Sequence, residues 1–568
     1  MDNIKKKVRR YFRSKFRADL SAGLTVAMVV IPQSMAYAGI AGVNPIYGLF
    51  TAIIPTIIGA LTSNYPYLIT GPTNPTALVT ASVLINFSNR PDYFEFVFAL
   101  AIIAGLFNII FGLVKLGTIT RYISNSVLVG FLTGVGILII GLQLGNLLGI
   151  QISKEGGIWG IITQLIENLP NINPLAFAIG FVCFLIIFLI RKINRLLPGP
   201  LIAILVTTLI VSITGLGETF NIRLVEDFGL PQRLNIGFHI PKISINDFAS
   251  IIQSGAAVAL FSFMETISIA KSMSKMTGDP LNPSHQMISQ GFASLIGGFF
   301  ECIPSSGSPS RTVGNVVNGA KSRFSGVISG ISVLIFLLIF SSMIGEIPMA
   351  ALATVVIISA SGLVNINLIK LTWQSRLLSR FVMIATFLAT LLVPLEYAIY
   401  LGILLSILVY LAESSRINLS YIVEDEDGQF LELSLEKIKK RKSEIAIVNI
   451  EGDLYFAAVE DLQKQIEDLF ETNLKVLVLR FRRTHLLAST GIMTLNSLIR
   501  SARRKDIEIL FCGLQEDIWN PLEDAGVINN VGQAKVFPAK EKIFKSTQLA
   551  LEKAKNLLEK KQSNTENN

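Results

Sequence analysis

The chain has 568 residues, a mean hydropathy of +0.57 and 16% charged side chains, against roughly 25% in an average soluble domain, which excludes a soluble enzyme of ordinary composition. Of its 89 Asp, Glu, Lys and Arg residues, 48 lie in 413–568, and none occurs from Leu20 to Asn89. Two solvents are implied: hydrocarbon for residues 20–412 and water for the tail.

In chain order, residues 1–19 carry Lys5, Lys6, Lys7, Arg9, Arg10, Arg13, Lys15 and Arg17, with Ile4, Val8, Tyr11, Phe12 and Phe16 at helical spacing. Either a basic amphipathic cytoplasmic helix on an anionic membrane surface or a charge cluster that fixes topology accounts for them, so the net charge of +9 does not point to nucleic acid. A cleaved leader is not expected, because the apolar stretch that follows is long and runs into more of the same. Apolar segments fall near 20–40, 46–62, 74–87, 95–115, 123–149, 174–191, 200–215, 250–271, 285–300, 310–319, 324–344, 347–369, 376–392 and 395–412. Of these fourteen, 74–87 and 310–319 are shorter than the roughly 20 residues that a full crossing needs. With the N-terminus inside, alternate loops hold twelve Lys and Arg residues against five on the other side. That asymmetry predicts a multi-pass protein of the plasma (inner) membrane with both termini cytoplasmic.

Thr70-Gly71-Pro72-Thr73-Asn74-Pro75-Thr76 leads into the first short segment and Pro304-Ser305-Ser306-Gly307-Ser308-Pro309-Ser310 into the second, at corresponding places in two seven-segment halves. Seven is odd, so the halves have opposite topologies. The pattern suggests an inverted repeat in which two half-helices meet at the bilayer midplane and aim their N-terminal dipoles at a substrate. Gly130, Gly134, Gly141, Gly145 and Gly149 make small-xxx-small steps in the fifth segment, a close-packing pattern with no chemistry of its own. Residues 413–442 read as a charged linker through Glu424-Asp425-Glu426-Asp427 and a basic stretch from Lys437 to Lys442. A compact α/β domain is expected over 443–556, with strands at 445–450, 476–479 and 507–511 and helices at 457–470, 491–504 and 541–558, before a polar tail, 557–568.

Few residues inside the apolar segments can carry chemistry. Glu265 sits well inside the eighth, where a charge is expensive and therefore a functional candidate, although Lys271 is close enough for a carboxylate facing the headgroups. Arg311 opens the second half-helix and is either a site residue or an interfacial anchor. Gln33 and Tyr37 lie one turn apart beside Pro32 and face the same way; interhelical packing is the alternative. Glu301, Glu346 and Glu396 sit at segment ends, where solvation accounts for them. Two helix N-termini, hydroxyl and backbone N–H donors and one guanidinium favour a small oxyanion, and Glu265 is suited to a proton or Na⁺ that travels with it. Cys183, Cys302 and Cys512 are scattered, and His239, His285 and His485 are far apart, so no disulfide, metal site or cofactor is expected.

Asp19-Leu20-x-Ala22-Gly23-Leu24-Thr25, Ile31-Pro32-Gln33-Ser34-Met35-Ala36-Tyr37-Ala38, the Gly71-to-Thr76 turn and Gly307-Ser308-x-Ser310-Arg311-Thr312, in that order, resemble the SulP family of sulfate permeases and other anion transporters. The tail resembles that family's C-terminal STAS domain. What the resemblance implies is a fourteen-segment, seven-plus-seven inverted repeat with core and gate domains, a homodimer, and an elevator-like motion. It also implies an anion site between the third and tenth segments. Carried over, the site residues are Gln33, Tyr37, Thr73, Asn74, Ser308, Ser310 and Arg311, with Glu265 for the coupling ion. Ser489 matches a position phosphorylated in the related anti-sigma-factor antagonists, but Ala488 replaces the usual Asp, which argues against phosphorylation here.

The leading expectation is secondary transport of an inorganic oxyanion, sulfate first, with H⁺ or Na⁺ symport; bicarbonate or a dicarboxylate is the alternative within the class. Nucleobase transporters resemble one another in carboxylates on both the eighth and tenth segments, whereas Ser310-Arg311 on the tenth argues for an anion. A non-transporting anion receptor with the soluble domain as output is the reading from another class. A membrane-embedded enzyme is the weakest, since no nucleophile-base pair or metal cluster is present.

Overall fold

The computed structural model describes residues 11, 14–117, 124–152, 156–194, 197–228, 237–414, 417–424, 430–433 and 443–566. Most of the basic N-terminal segment, the acidic Asp425-Glu426-Asp427 run and the basic stretch from Lys437 to Lys442 lie outside the described residues. The chain divides into two compact units, 1–406 and 407–568.

Among the described residues the first unit is helical apart from two two-residue strands and an isolated bridge between Leu224 and Pro348. In order it contains α1 (Phe16–Ala41), α2 (Pro45–Thr62), β1 (Thr70–Gly71), α3 (Asn74–Val83), α4 (Tyr93–Leu113), α5 (Asn125–Leu148), α6 (Gly157–Glu167), α7 (Pro174–Ile193) and α8 (Gly199–Thr214). Then follow α9 (Ile245–Thr277), α10 (Pro283–Gly298), β2 (Ser306–Gly307), α11 (Pro309–Val317), α12 (Phe324–Ile344), α13 (Met349–Ser361), α14 (Ile366–Gln374), α15 (Leu377–Leu392) and α16 (Leu395–Ser414). Leaving aside the one-turn helices, the helices and two-residue strands of the second series follow the same order as those of the first. Among the described residues nine helices are long and apolar enough to cross a membrane, and the protein is an integral multi-pass membrane protein.

Four expectations change. The first helix starts at Phe16, so the end of the expected 1–19 segment is already helical, and Asp19 is buried where its carboxylate accepts from the Lys321 and Ser322 N–H groups. The eighth segment is longer than 250–271 at both ends, because Ser244 caps its start and Gly278, at φ 77°, closes it. The expected segment 347–369 is two helices, because Asn365 caps a new start by accepting from Leu368 N–H. Helix α6 lies between expected segments and was not foreseen. As the glycine pattern suggested, α5 packs closely: a Cβ on Gly130 would lie 2.3 Å from the Met383 carbonyl, and one on Gly134 would lie 2.7 Å from Thr390 Cβ.

The second unit is a six-stranded sheet with helices on both faces. Strands β3 (Asn418–Glu424), β4 (Phe430–Leu433), β5 (Ile445–Glu451), β6 (Val476–Arg483), β7 (Glu508–Leu514) and β8 (Val536–Pro538) stand in the order β4-β3-β5-β6-β7-β8. β3 is antiparallel to β4 and β5, and the rest pair in parallel. Alternation along each strand splits the apolar residues by face: Val448, Leu477 and Leu479 pack with α17 (Val459–Phe470) and α18 (Ser489–Arg504), whereas Ile447, Val476 and Val478 pack under α20 (Lys545–Glu566). A further short helix, α19 (Glu516–Asp524), adds Ile518 and Leu522 to the first face. The expected linker 413–442 therefore supplies two strands of the sheet, with Tyr421 fully buried beside β5.

Candidate functional site

The two turns singled out in the sequence meet as an antiparallel bridge, Thr70 opposite Gly307 and Gly71 opposite Ser306. Pro75 in the first turn of α3 and Pro309 at the first position of α11 suit helix starts, where an N–H has no intrahelical acceptor. On both sides of the crossing a glycine leaves room that a side chain would crowd. A Cβ on Gly71 would lie 2.7 Å from Arg311 Nη1, and one on Gly307 would lie 3.0 Å from Thr266 Cα. The bridge is extended by Ser308 N–H to the Ile69 carbonyl (2.9 Å).

Glu265 joins the half-helices on one side of the crossing. Its Oε2 accepts from Ser306 Oγ (2.5 Å), Thr73 Oγ1 (2.9 Å) and Thr76 Oγ1 (3.1 Å), and Thr73 Oγ1 lies 2.8 Å from Ser306 Oγ. Thr73 also caps α3 by accepting from Thr76 N–H. The next residue of α9, Thr266, accepts at Oγ1 from Gly307 N–H (2.7 Å), and Gln290 donates to the Ser305 carbonyl (2.6 Å). The carboxylate thus lies buried among hydroxyls from both turns, inside α9 and away from its ends.

Arg311 occupies the other side. It is 1% exposed, and its Nη2 donates to the Pro72 carbonyl, while Nε and Nη1 have no partner. It stands on the first turn of α11 and faces the turn into α3. Asn74, also buried, has Oδ1 unpartnered, and α11 has no side-chain cap, leaving its first N–H groups unclaimed by Ser308.

Gln33 and Tyr37 on α1 complete the cluster. Gln33 Nε2 donates to Ser359 Oγ (3.4 Å) on α13, its Oε1 is unpartnered, and Tyr37 is buried one turn further along α1. Ser308 is buried, and its hydroxyl lies 3.5 Å from that of Ser310, which is exposed. The tertiary structure adds Thr76, Thr266, Gln290, Ser306 and Ser359. Thr76 and Ser306 stand inside the quoted turns and were visible there; Gln290 and Ser359 had no signal beyond being isolated polar residues in apolar runs. Among the described residues no group of three His, Cys, Asp or Glu side chains could hold a metal ion. Ser489, in the second unit, is exposed at the first position of α18.

Residues 16–386 match the model of the sulfate permease family. The chain belongs to that family. Residues 436–549 match the STAS domain model. Among curated relatives, the putative sulfate transporter YvdB of Bacillus subtilis is 25% identical over 94% of this chain and 98% of its own. The bicarbonate transporter BicA of a Picosynechococcus strain is 24% identical over 95% and 96%. Of solved structures, the murine solute carrier 26 member A9, an anion transporter in its inward-facing state, superposes with a TM-score of 0.85 over 96% of this chain and 92% of that one at 18% identity, a likeness of fold. The transmembrane domain of a cyanobacterial BicA gives 0.59 over 69% and 96% at 24% identity, again a likeness of fold. The protein is accordingly a membrane transport protein and not an enzyme.

Proposed function

We propose that the chain is a secondary active transporter of a small inorganic oxyanion, sulfate foremost, coupled to H⁺ or Na⁺. One observation carries this reading: a buried guanidinium between two half-helix N-termini with two nitrogen atoms unpartnered. A buried donor left without an acceptor costs about 1–3 kcal/mol. An entering oxyanion recovers that cost by accepting charge-assisted bonds from Arg311 while facing the positive ends of two helix dipoles. Bicarbonate is the second reading, favoured by the likeness to BicA over nearly the whole chain; sulfate is preferred because a second negative charge gains from the same field.

The matching order of elements in the two series and the antiparallel crossing of β1 and β2 support fourteen crossing segments in a seven-plus-seven inverted repeat. Under that reading both termini are cytoplasmic, core and gate move in an elevator-like way, the chain works as a homodimer, and Gln33, Tyr37, Thr73, Asn74, Ser308 and Ser310 line the anion site with Arg311. Glu265 couples transport to the proton. Protonation removes acceptor capacity from the carboxylate that three hydroxyls of both repeats share, and so changes how the half-helices are tied together. The C-terminal unit serves regulation or assembly. Because β3 is part of its sheet, a folded fragment has to begin before Asn418.

Labelled sulfate, bicarbonate and succinate uptake into proteoliposomes, with imposed pH and Na⁺ gradients, tests this reading. Sulfate should accumulate with an inward proton gradient, and Glu265→Gln should abolish that acceleration while anion exchange continues. Binding without flux would make the protein a receptor. Uptake that follows Na⁺ and ignores pH would end the proton assignment.

A further inference from the structure

On the α20 face of the C-terminal sheet, the residues that continue the apolar rows of β5 and β6 are polar. Asn449 follows Ile447, and Arg480 and Arg482 follow Val478, with Asn449 and Arg480 opposite one another in the ladder. The face opens there into a cavity of about 560 Å³ lined by Phe430, Asn449, Arg480, Arg482, His485 and Phe544 among others.

Arg480 is buried and fixed in the cavity wall. Nη1 donates to Asn449 Oδ1 (2.7 Å), Nε to Thr547 Oγ1 (3.1 Å) and Nη2 to the Ile543 carbonyl (3.4 Å), and Cζ stands 5.1 Å from the centre of the Phe544 ring. A guanidinium has five N–H groups, so two remain for a ligand. Arg482 gives Nη1 to the Lys540 carbonyl, His485 is exposed at the rim, and Arg483 is paired with Glu451. Glu432 is the single carboxylate among the described lining residues. Burial holds the Arg480 pKa below the ordinary guanidinium value, and the charges of Arg482 and Arg483 push the same way, against Cys512 and Glu451. Beside the basic groups, Phe430 and Phe544 stack with centroids 5.0 Å apart and planes at 17°.

We propose that this cavity binds a small organic phosphate, with the phosphoryl group on Arg480, Arg482 and His485 and a planar apolar part against Phe430 and Phe544. The planar fork of arginine matches pairs of phosphate oxygens. A phosphate monoester carries about −1.5 to −2 charges near neutral pH, which suits two guanidiniums facing one carboxylate. Free sulfate or inorganic phosphate would leave most of the volume and the aromatic wall unused, whereas sites of roughly 300–1,000 Å³ suit larger ligands. No residue of the membrane unit enters the proposal, so it stands or falls apart from the transport reading.

Hydrogen–deuterium exchange of the full chain in detergent, with and without phenyl phosphate, tests it. Saturable protection is expected at 480–485 and 543–547. Arg482→Gln combined with His485→Gln should weaken it roughly tenfold or more, with unliganded exchange at 476–479 unchanged. Phe544→Ala should weaken phenyl phosphate but not inorganic phosphate. The proposal is overturned if no protection appears there, if benzyl alcohol protects as well as phenyl phosphate, or if inorganic phosphate protects at the same concentration.

Discussion

Arg311 in the first unit and Arg480 in the second are exposed to only 1% and 4%, yet Arg480 donates to three partners and Arg311 to one. Asn449, Thr547 and the Ile543 carbonyl fix Arg480 in place, while two nitrogen atoms of Arg311 face no acceptor at all. Burial by itself therefore does not mark a binding residue. In a membrane-type interior an unfilled donor has no water to turn to, so an arginine with open donors stands ready for an anion, and one whose neighbours are matched to it is first of all a structural member.

The largest expected effect tests the structural side of this contrast. Arg480→Met leaves Asn449 Oδ1 and Thr547 Oγ1 buried without their donor, and at about 1–3 kcal/mol for each stranded group the C-terminal unit should lose about 2–6 kcal/mol. Urea unfolding of a fragment spanning 414–568 reads this directly, and sulfate affinity of the full chain should stay at the wild-type value. Arg311→Ala should do the reverse. Anion affinity should fall by about 1.5–3 kcal/mol, roughly ten- to a hundredfold, with little change in the melting temperature of the unliganded protein. If Arg311→Ala melted the protein as Arg480→Met does, or bound sulfate normally, the contrast would collapse.

A smaller effect sharpens it. Gly71→Ala places a methyl 2.7 Å from Arg311 Nη1 and should weaken anion binding by about 1–2 kcal/mol through displacement of the guanidinium. Gly314→Ala, on the same half-helix as Arg311 with nothing within 4 Å of the new Cβ, should leave binding unchanged in the same titration. The smallest effect belongs to Ser489. It is exposed, and its hydroxyl does not cap α18, so Ser489→Ala should alter stability by less than about 0.5 kcal/mol and leave sulfate uptake unchanged; a marked loss of uptake would revive a regulatory role.

Much of the scaffold was legible before any coordinates. Proline at helix starts and glycine at the crossing announced both half-helices, and the strands at 445–450, 476–479 and 507–511 stood out as apolar runs between helical patterns. The break between α13 and α14 was hidden because Ser361-Gly362-Leu363-Val364-Asn365 is apolar enough to pass for helix. β3 was hidden for the opposite reason: its alternation of Ser420, Tyr421 and Ile422 runs into acidic residues that read as linker. At the site, Glu265 and Arg311 were conspicuous as charges in apolar surroundings, but their roles were not separable, since nothing in the chain tells which hydroxyls surround the carboxylate.

The sequence by itself determined where the chain meets hydrocarbon and where it meets water, which segments are short, and where helices begin. These follow from hydropathy and backbone preference, which belong to single residues and their near neighbours. Only the tertiary structure decided that Glu265 is saturated, Arg311 open and Arg480 both anchored and cavity-lining. Those properties depend on pairs: Thr73 and Glu265 are 192 residues apart, and Pro72 and Arg311 are 239. A hydrogen bond is directional and short-ranged, so whether a buried donor is filled is fixed by the packing that brings such distant residues together, and no local pattern encodes it.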